Sequence, residues 1–352
     1  MRKLVIALMI LLLIGQVYGR LITIVAVGDI MPGTNYPDDS YLPAANGRYL
    51  ISQEIGNILR SGDITCGNLE GCILDEGDKS PFKNSKFMFR IPESLTGVLN
   101  DNGFDLLSIA NNHAGDFGDA GRLNTQAVLD QLKINYAGQL ECPTAIVRKN
   151  RVKIGFIAIS PNRNCLSHWE IEEVATHIAD LQKKCNIVIA SMHVGGEGED
   201  FLHLSGESEI YYGEDRGNPI EVAHQLVDAG ADLVYGHGPH LPRALECYKG
   251  KLIAYSLGNF ITWKRFNLEG DYKPLSPILR VNYDISGNFR SGEIISCYQD
   301  YTEGVHLDNK NRAYQVMKEL TQSDFKDSGL KFESSNMGSS FYPKKIIGGK
   351  AK

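Results

Sequence analysis

Polar residues follow the ends of several apolar, β-branched runs, and this repeated pattern constrains the fold more than any other feature of the sequence. The runs have the length of buried strands and alternate with segments of helical period, as in a layered α/β domain. The predicted strands are Leu21–Val27, Ile64–Asn68, Leu106–Ala110, Val152–Ile159, Ile187–Met192, Leu233–Tyr235, Leu252–Leu257 and Ile278–Tyr283. The predicted helices are Tyr49–Arg60, Ala120–Leu132, Ile220–Ala229 and Asn311–Leu320.

The polar groups lie just past the carboxyl ends of five of these predicted strands. They are Asp29, Asn68 with Glu70, the segment Asn111–His113, His193, and His237. In open α/β sheets the crevice beyond the carboxyl ends of the strands is where ligands bind. These groups and His240 can converge only if the whole stretch folds as one unit, so we predict no domain boundary inside it.

The two ends of the chain differ from this central stretch. Residues 1–19 contain Arg2 and Lys3, then an apolar run and small residues, which is the order of a secretory signal. The protein is therefore predicted to be exported, periplasmic or at the cell surface, with an uncleaved membrane anchor as the alternative. Residues 20–300 are predicted to form one domain, and residues 301–352 a C-terminal helix and polar tail.

Net charge and cysteine spacing narrow the classes of function. The formal net charge of the chain is −6 at pH 7, and the sequence contains no basic stripe of the kind that binds a phosphate backbone. Nucleic acid is therefore not a predicted partner. The seven cysteines show no metal-ligand spacing, and disulfides and buried free thiols both stay open for them.

The strongest local signal is the segment Gly236-His237-Gly238-Pro239-His240. Two histidines on a loop shaped by Gly and Pro can turn both imidazoles toward one metal ion. A chance pair of surface or core histidines would give the same pattern, so the loop alone leaves both interpretations open.

The other strand-end residues are ambiguous one by one but informative together. Asn112 could ligate a metal or belong to an Asn-rich turn, and His193 could be a hydrogen-bonded structural residue. Asp29 and Glu70 could bind cations or cap helices. As a set, two carboxylates, one or two asparagines and three or four histidines provide oxygen and nitrogen ligands for two metals. Mixed ligands favour Zn, Mn or Fe over Mg or Ca.

These motifs, in this order, resemble those of the CapA family of poly-γ-glutamate capsule synthesis proteins. The matching segments are Gly28–Met31, Asn68–Gly71, Ala110–His113, His193 with Gly195 and Glu197, Asp228–Asp232, Gly236–His240 and Ser256–Phe260. The family is similar in plan to calcineurin-like metallophosphatases. The resemblance therefore implies a four-layer αββα sandwich of two mixed sheets flanked by helices.

The resemblance also implies which residues would hold two divalent metal ions. Asp29 and His240 would hold one ion, Asn112, His193 and His237 would hold the other, and Glu70 would bridge the two. Met31 stands where broader metallophosphatases have a second early His ligand, which implies a weakly held metal. Val194 and the segment Asp200–Asn218 also depart from the family pattern, and they leave the substrate specificity open.

Metal-dependent hydrolysis is the function that these residues predict. His113, oriented by Asp116, would protonate the leaving group or stabilise its charge. The predicted substrate contacts are Asn68, Asn111, Glu197 and Asn259.

A phosphoester is the default substrate, whereas the resemblance implies an envelope polymer such as poly-γ-glutamate, with membrane-bound polymer synthesis machinery as a partner. Two alternatives stay open: a non-catalytic polymer-binding or assembly factor that keeps the metal cleft, and a phosphodiesterase or nucleotidase unrelated to capsules.

Overall fold

Two mixed β-sheets packed face to face dominate the computed structural model, which describes residues 21–80, 87–149, 151–335 and 338–344. The α-helices in this part of the chain are α1 (Gln53–Arg60), α2 (Gly97–Asn100), α3 (Gly118–Leu132), α4 (Ile171–Lys184), α5 (Pro219–Ala229) and α6 (Arg312–Asp324). The strands of the first half are β1 (Leu21–Met31), β2 (Ile64–Leu69), β3 (Cys72–Ile73), β4 (Arg90–Ile91), β5 (Leu106–Ser108), β6 (Asn135–Ala137), β7 (Thr144–Lys149), β8 (Val152–Ile159) and β9 (Ile187–His193). Those of the second half are β10 (Ile210–Tyr211), β11 (Glu214–Asp215), β12 (Leu233–His237), β13 (Leu245–Tyr248), β14 (Lys251–Ala254), β15 (Asn259–Thr262), β16 (Ile278–Asp284), β17 (Phe289–Ile295), β18 (Cys297–Asp300), β19 (Gly304–Leu307), β20 (Leu330–Ser335) and β21 (Gly338–Pro343).

Strand β1 organises the first sheet, whose order is β20-β21-β17-β16-β1-β2-β5-β6. The first half of β1 pairs with β16 in antiparallel orientation, and its end pairs with β15 in parallel orientation. An added Cβ at Gly28 would lie 1.8 Å from the backbone oxygen of Gly258, so only glycine permits this close approach. The second sheet has the order β13-β14-β12-β9-β8-β7.

Alternate residues of the inner strands face different layers. Ile24 and Ala26 of β1 pack in the core between the two sheets, together with Phe156 of the second sheet. Val25 and Val27 face the other way and pack in the core that contains α1, α2 and α3. Because both faces of such a strand are buried, its sequence is continuously apolar.

The outer face of the second sheet is covered by α4 and α5. Val174 and Ile178 of α4 and Leu226 of α5 pack in one core with Val188 of β9. Helices therefore cover both outer faces of the paired sheets. The predicted four-layer αββα sandwich of two mixed sheets is confirmed.

The C-terminal segment extends the first sheet. The helix predicted at Asn311–Leu320 is present as α6, and β20 and β21 follow it and continue the sheet beyond β17. Tyr314 and Met317 of α6 pack in the core between the sheets. The division of the chain at residue 300 stays a prediction.

The localisation predicted from the sequence needs correction. Among the residues that the structure describes, no helix has both the length and the apolar character needed to cross a bilayer. The predicted signal or anchor, residues 1–19, lies outside the described residues. The prediction of an exported or membrane-anchored protein is therefore withdrawn.

Candidate metal centre

Two buried carboxylates, those of Asp29 and Glu70, meet at the carboxyl ends of β1 and β2. The parallel register pairs Asp29 with Asn68, and Glu70 follows directly after β2. The amide of Asn68 donates to Oδ1 of Asp29 at 2.8 Å and to Oε2 of Glu70 at 2.5 Å. Burial and the neighbouring charge of Asp29 raise the pKa of Glu70 well above its usual range. Burying two adjacent carboxylates therefore destabilises the folded chain unless a positive charge compensates them.

Two buried histidines occupy the matching end of the second sheet. The parallel register of β9 and β12 pairs His193 with His237, and the centroids of their rings are 6.2 Å apart. Nδ1 of His193 lies 3.7 Å from Oε2 of Glu70. The face-to-face packing of the sheets thus brings together side chains that are far apart in the sequence.

Several polar atoms of this group have no hydrogen-bond partner among the described residues. They are Oε1 of Glu70, both ring nitrogens of His193 and Nδ1 of His237. Leaving one buried polar atom without a partner typically costs about 1–3 kcal/mol. Ligand atoms of Asp29, Glu70 and His193 also lie within 4.8 Å of one another. The group fits a divalent metal, which would bind these atoms and offset the carboxylate charges.

The two histidines are in the protonation state that a metal requires. Burial lowers the pKa of His193 well below its ordinary value, and it lowers the pKa of His237 to about 4. Both imidazoles are therefore neutral near pH 7 and have a lone pair for coordination. A hydrogen bond of 2.6 Å joins Nε2 of His237 to Oγ of Ser191. When Nε2 donates in this bond, Nδ1 keeps the lone pair that a metal would use.

His240 reaches the same site from the loop that follows β12. Its backbone has a positive φ of 59°, two residues after Gly238 with a φ of 108°. Nδ1 of His240 lies 2.9 Å from Oδ2 of Asp29, and Nε2 lies 3.9 Å from Oε2 of Glu197. Burial lowers the pKa of His240. The hydrogen bond to Asp29 and the negative charge of Asp29 outweigh this effect and raise the pKa to about 9. His240 therefore lies on the carboxylate side of the site and is protonated near pH 7, so it would have to lose a proton in order to hold a metal.

His113 and Asp116 form a hydrogen-bonded pair beside the carboxylates. Nδ1 of His113 lies 2.8 Å from Oδ2 of Asp116, and the same oxygen accepts from the backbone N–H of Phe89 at 2.7 Å. The rings of Phe89 and His113 pack with centroids 4.0 Å apart. These contacts place Nε2 of His113 4.0 Å from Oε1 of Glu70. A histidine held in this way can exchange a proton with a group bound at the site.

The asparagines predicted at the site differ in their surroundings. The amide of Asn111 donates to Oδ1 of Asn68 at 3.0 Å, and its Oδ1 accepts from a backbone N–H. Asn259 donates to the backbone oxygen of His240 at 3.0 Å. Asn112 is half-buried and lines the cleft in front of the site. The part that these residues play in holding a metal or a substrate stays a prediction.

A buried ion pair attaches the segment between residues 200 and 218 to the site. Arg243 donates to the two carboxylate oxygens of Glu209 at 2.7 and 3.1 Å, and Glu209 also accepts from the backbone N–H of Gly196 at 2.8 Å. Arg243 belongs to the loop that carries His240. The pair therefore holds the segment against this loop, and Arg216 of the segment lines the cleft.

Three residues of the site were not predicted from the sequence. Ser191 orients a histidine, Phe89 fixes the His113–Asp116 pair, and Arg216 lies at the edge of the cleft. Ser191 precedes His193 by two positions on a strand, so alternation places both on one face, and this was the available signal. Phe89 and Arg216 lie outside the strand-end motifs, and no spacing in the sequence marks them.

Comparison with known proteins finds a family model and several relatives. The model described as bacterial capsule synthesis protein PGA_cap matches residues 23–264. The PGA biosynthesis protein CapA of Bacillus subtilis is 28% identical over 251 residues, which cover 67% of this chain and 62% of that protein. The capsule biosynthesis protein CapA of Bacillus anthracis is 26% identical over 260 residues, covering 68% of this chain and 59% of that protein. The matched region thus spans less than two thirds of either relative.

Solved structures of similar shape include nucleotidases. A 5′-nucleotidase precursor from Thermus thermophilus superimposes with a TM-score of 0.44 and 13% sequence identity, covering 86% of this chain and 59% of that chain. The NAD nucleotidase of Haemophilus influenzae gives a TM-score of 0.43 and 15% identity, covering 85% and 63%.

Proposed function

The chain belongs to the bacterial capsule synthesis family PGA_cap, and from this membership and the geometry of the site we propose that it is a metal-dependent hydrolase of capsule-polymer synthesis. The proposed bond is a phosphoester. The observation that carries the proposal is the position of His113, whose Nε2 lies 4.0 Å from Oε1 of Glu70 in the candidate metal group.

The proposed metal centre uses the residues at the ends of both sheets. Asp29 and His240 would hold one ion, Asn112, His193 and His237 would hold the other, and Glu70 would lie between them. Bound divalent cations lower the pKa of water and stabilise the negative charge that develops during hydrolysis.

The protein residues around the centre would orient and protonate the substrate. Asp116 accepts from Nδ1 of His113 and holds the imidazole in place, so a proton on Nε2 faces the group bound at the site. His113 would give this proton to the leaving oxygen. A protein that only binds a polymer would have no use for a proton donor placed in this way.

Removal of the metal tests the proposal. We expect the purified protein, loaded with Mn²⁺ or Zn²⁺, to hydrolyse an aryl phosphate, to lose this activity in a chelator and to regain it when the metal is restored. Oligo-γ-glutamate should be assayed in parallel by mass spectrometry, because one relative is named as a PGA biosynthesis protein. Bound metal without hydrolysis of either substrate would contradict the proposal and favour a binding or assembly role.

A further inference from the structure

A second cavity, of about 540 Å³, lies next to the cleft in front of the candidate metal centre. The two hollows share Asn112 and Arg216 in their linings. Three arginines line the second cavity, namely Arg122, Arg163 and Arg216. Two carboxylates, those of Asp119 and Glu214, also line it, so the three arginines give the lining a small excess of positive charge in a chain whose net charge is −6. We call this hollow the arginine cavity.

Arg216 is buried and incompletely bonded. Its exposed fraction is 7%, and Nε and Nη1 have no hydrogen-bond partner within the part of the chain that the structure describes. Nη2 lies 3.0 Å from Oε2 of Glu214, and Nη1 lies 3.9 Å from Oε1 of Glu197. A buried guanidinium with unused N–H groups is costly. Its planar arrangement of donors matches the two oxygens of a carboxylate or phosphate.

Arg122 lies on α3 and packs against the loop of the His113–Asp116 pair. An added Cβ at Gly115 would lie 2.4 Å from Nη2 of Arg122, so the guanidinium rests directly on the backbone between His113 and Asp116. Nη1 of Arg122 donates to Asp119 at 3.0 Å. The side chain of Arg122 is 11% exposed and that of Asp119 is 82% exposed.

The acidic partners at the edge of the arginine cavity leave Arg122 and Arg216 available to a ligand. Glu197, with 21% of its side chain exposed, lies 3.9 Å from Nη1 of Arg216 and is too far away for a hydrogen bond. Glu214 and Asp119 are mostly exposed, with 64% and 82% of their side chains accessible. Ion pairs with exposed carboxylates contribute little to stability because water screens them. An anionic ligand that displaces these two carboxylates can therefore form hydrogen bonds with the buried N–H groups of Arg216, and the loss of the ion pairs costs little free energy.

We propose that the arginine cavity binds an anionic group of the substrate, a carboxylate or a phosphate, through Arg122 and Arg216, beside the bond that is cut. This inference rests on the proposed function, because the proposed function places the reacting bond of the substrate in the neighbouring cleft. A substrate with one anionic group in the cavity and its reacting bond in the cleft would be positioned by two separate contacts. Arg122 and Arg216 are then specificity-determining residues.

Anion binding to the metal-free protein tests this inference separately from catalysis. Isothermal titration calorimetry in a chelator should detect binding of inorganic phosphate or of tri-γ-glutamate to the wild-type chain. Arg216→Gln should raise the Kd about tenfold or more, a loss of about 1.4 kcal/mol, because glutamine lacks the charged donors that would bind the anion. Tighter binding of phosphate would identify a phosphate-bearing substrate, and tighter binding of the peptide a carboxylate-bearing one.

Two further variants keep the test decisive. Arg122→Gln changes a residue on a surface helix and should weaken binding in the same direction even if Arg216→Gln folds poorly. Arg280→Gln, on β16 and paired with Glu293 at 3.1 Å, should leave the Kd unchanged. No binding of either probe, or equal affinity in wild type, Arg122→Gln and Arg216→Gln, would overturn the inference. If the protein hydrolyses its substrate but the two arginine variants bind the anions as tightly as wild type, the anion site is refuted and the proposed function stands. If the anions bind to the arginine cavity but no substrate is hydrolysed, the proposed function is refuted and the anion site stands.

Discussion

Glu70→Gln should lower the rate of aryl phosphate hydrolysis by about 10³-fold or more. The side chain is fully buried, and its Oε2 lies 3.7 Å from Nδ1 of His193. Glutamine keeps the shape of the side chain but lacks the negative charge that a shared cation ligand needs. Loss of metal-based charge stabilisation removes several kcal/mol from the transition state, and about 4 kcal/mol corresponds to a factor of about 10³. Steady-state kinetics at saturating metal measure the change.

A matched variant separates this effect from a general loss of charge. Glu173→Gln alters an exposed glutamate of α4 that lies 3.8 Å from His177, and it should retain the wild-type rate. Metal-free Glu70→Gln should be at least as stable toward denaturant as the metal-free wild type, because the change removes the cost of burying a charged carboxylate and its repulsion by Asp29. A rate within tenfold of wild type would show that Glu70 does not hold a catalytic metal.

His113→Gln should lower kcat by about 10²–10⁴-fold, the usual contribution of a general acid or base, while the bound metal stays in place. The imidazole is held by Asp116 and lies 4.0 Å from Oε1 of Glu70. The loss should be smaller for aryl phosphates whose leaving groups are weak bases, because such groups need no proton. A series of aryl and alkyl phosphates therefore measures the role of His113 directly.

The controls for His113 are metal content and a distant histidine. His177→Gln on α4 should leave kcat unchanged. Asp116→Asn should reduce kcat in the same direction as His113→Gln, because a neutral amide in place of the carboxylate could no longer fix the charged imidazole. Loss of metal from His113→Gln would instead make this residue a ligand, and an unchanged kcat would exclude it as the proton donor.

The layered fold was predictable because burial on both faces leaves a continuous apolar pattern. Val152–Ile159 is found as predicted, and the strand from Leu21 is longer than predicted because its end pairs with β15. Helix α4 was not predicted, although Val174, Ile178 and Leu181 have helical spacing. The pairing of β20 with β21 and of β21 with β17 was also not predicted, since it depends on contacts between distant segments.

The strand-end residues of the site were predictable for a simple geometric reason. Parallel strands end at one edge, so Asp29, Glu70, His193 and His237 converge once the strands are assigned. Their roles as ligands stay a prediction. Contacts that depend on loop conformation could not be predicted from the strand order. The buried ion pair of Glu209 with Arg243 is the clearest example.

The number and spacing of the cysteines did not predict whether they form disulfides. The sequence left disulfides and reduced thiols equally open, and none of the seven cysteines, all within the described part of the chain, forms a disulfide. Burial raises the pKa of Cys66 to about 12, and this thiol lies in the core between the sheets. Packing therefore accounts for its position, and no chemistry needs to be assigned to it.

Anomalous X-ray diffraction from crystals grown with Mn²⁺ or Zn²⁺ tests the central claim most directly, because it locates the metal among named side chains. The account predicts two peaks about 3.5–4 Å apart, with Glu70 between them, one peak beside Asp29 and His240 and the other beside His193 and His237. A single peak bound by Asp29, Glu70 and His193 would keep the metal centre and reduce it to one ion. The absence of any peak at these residues, in crystals that contain the metal, would contradict the account.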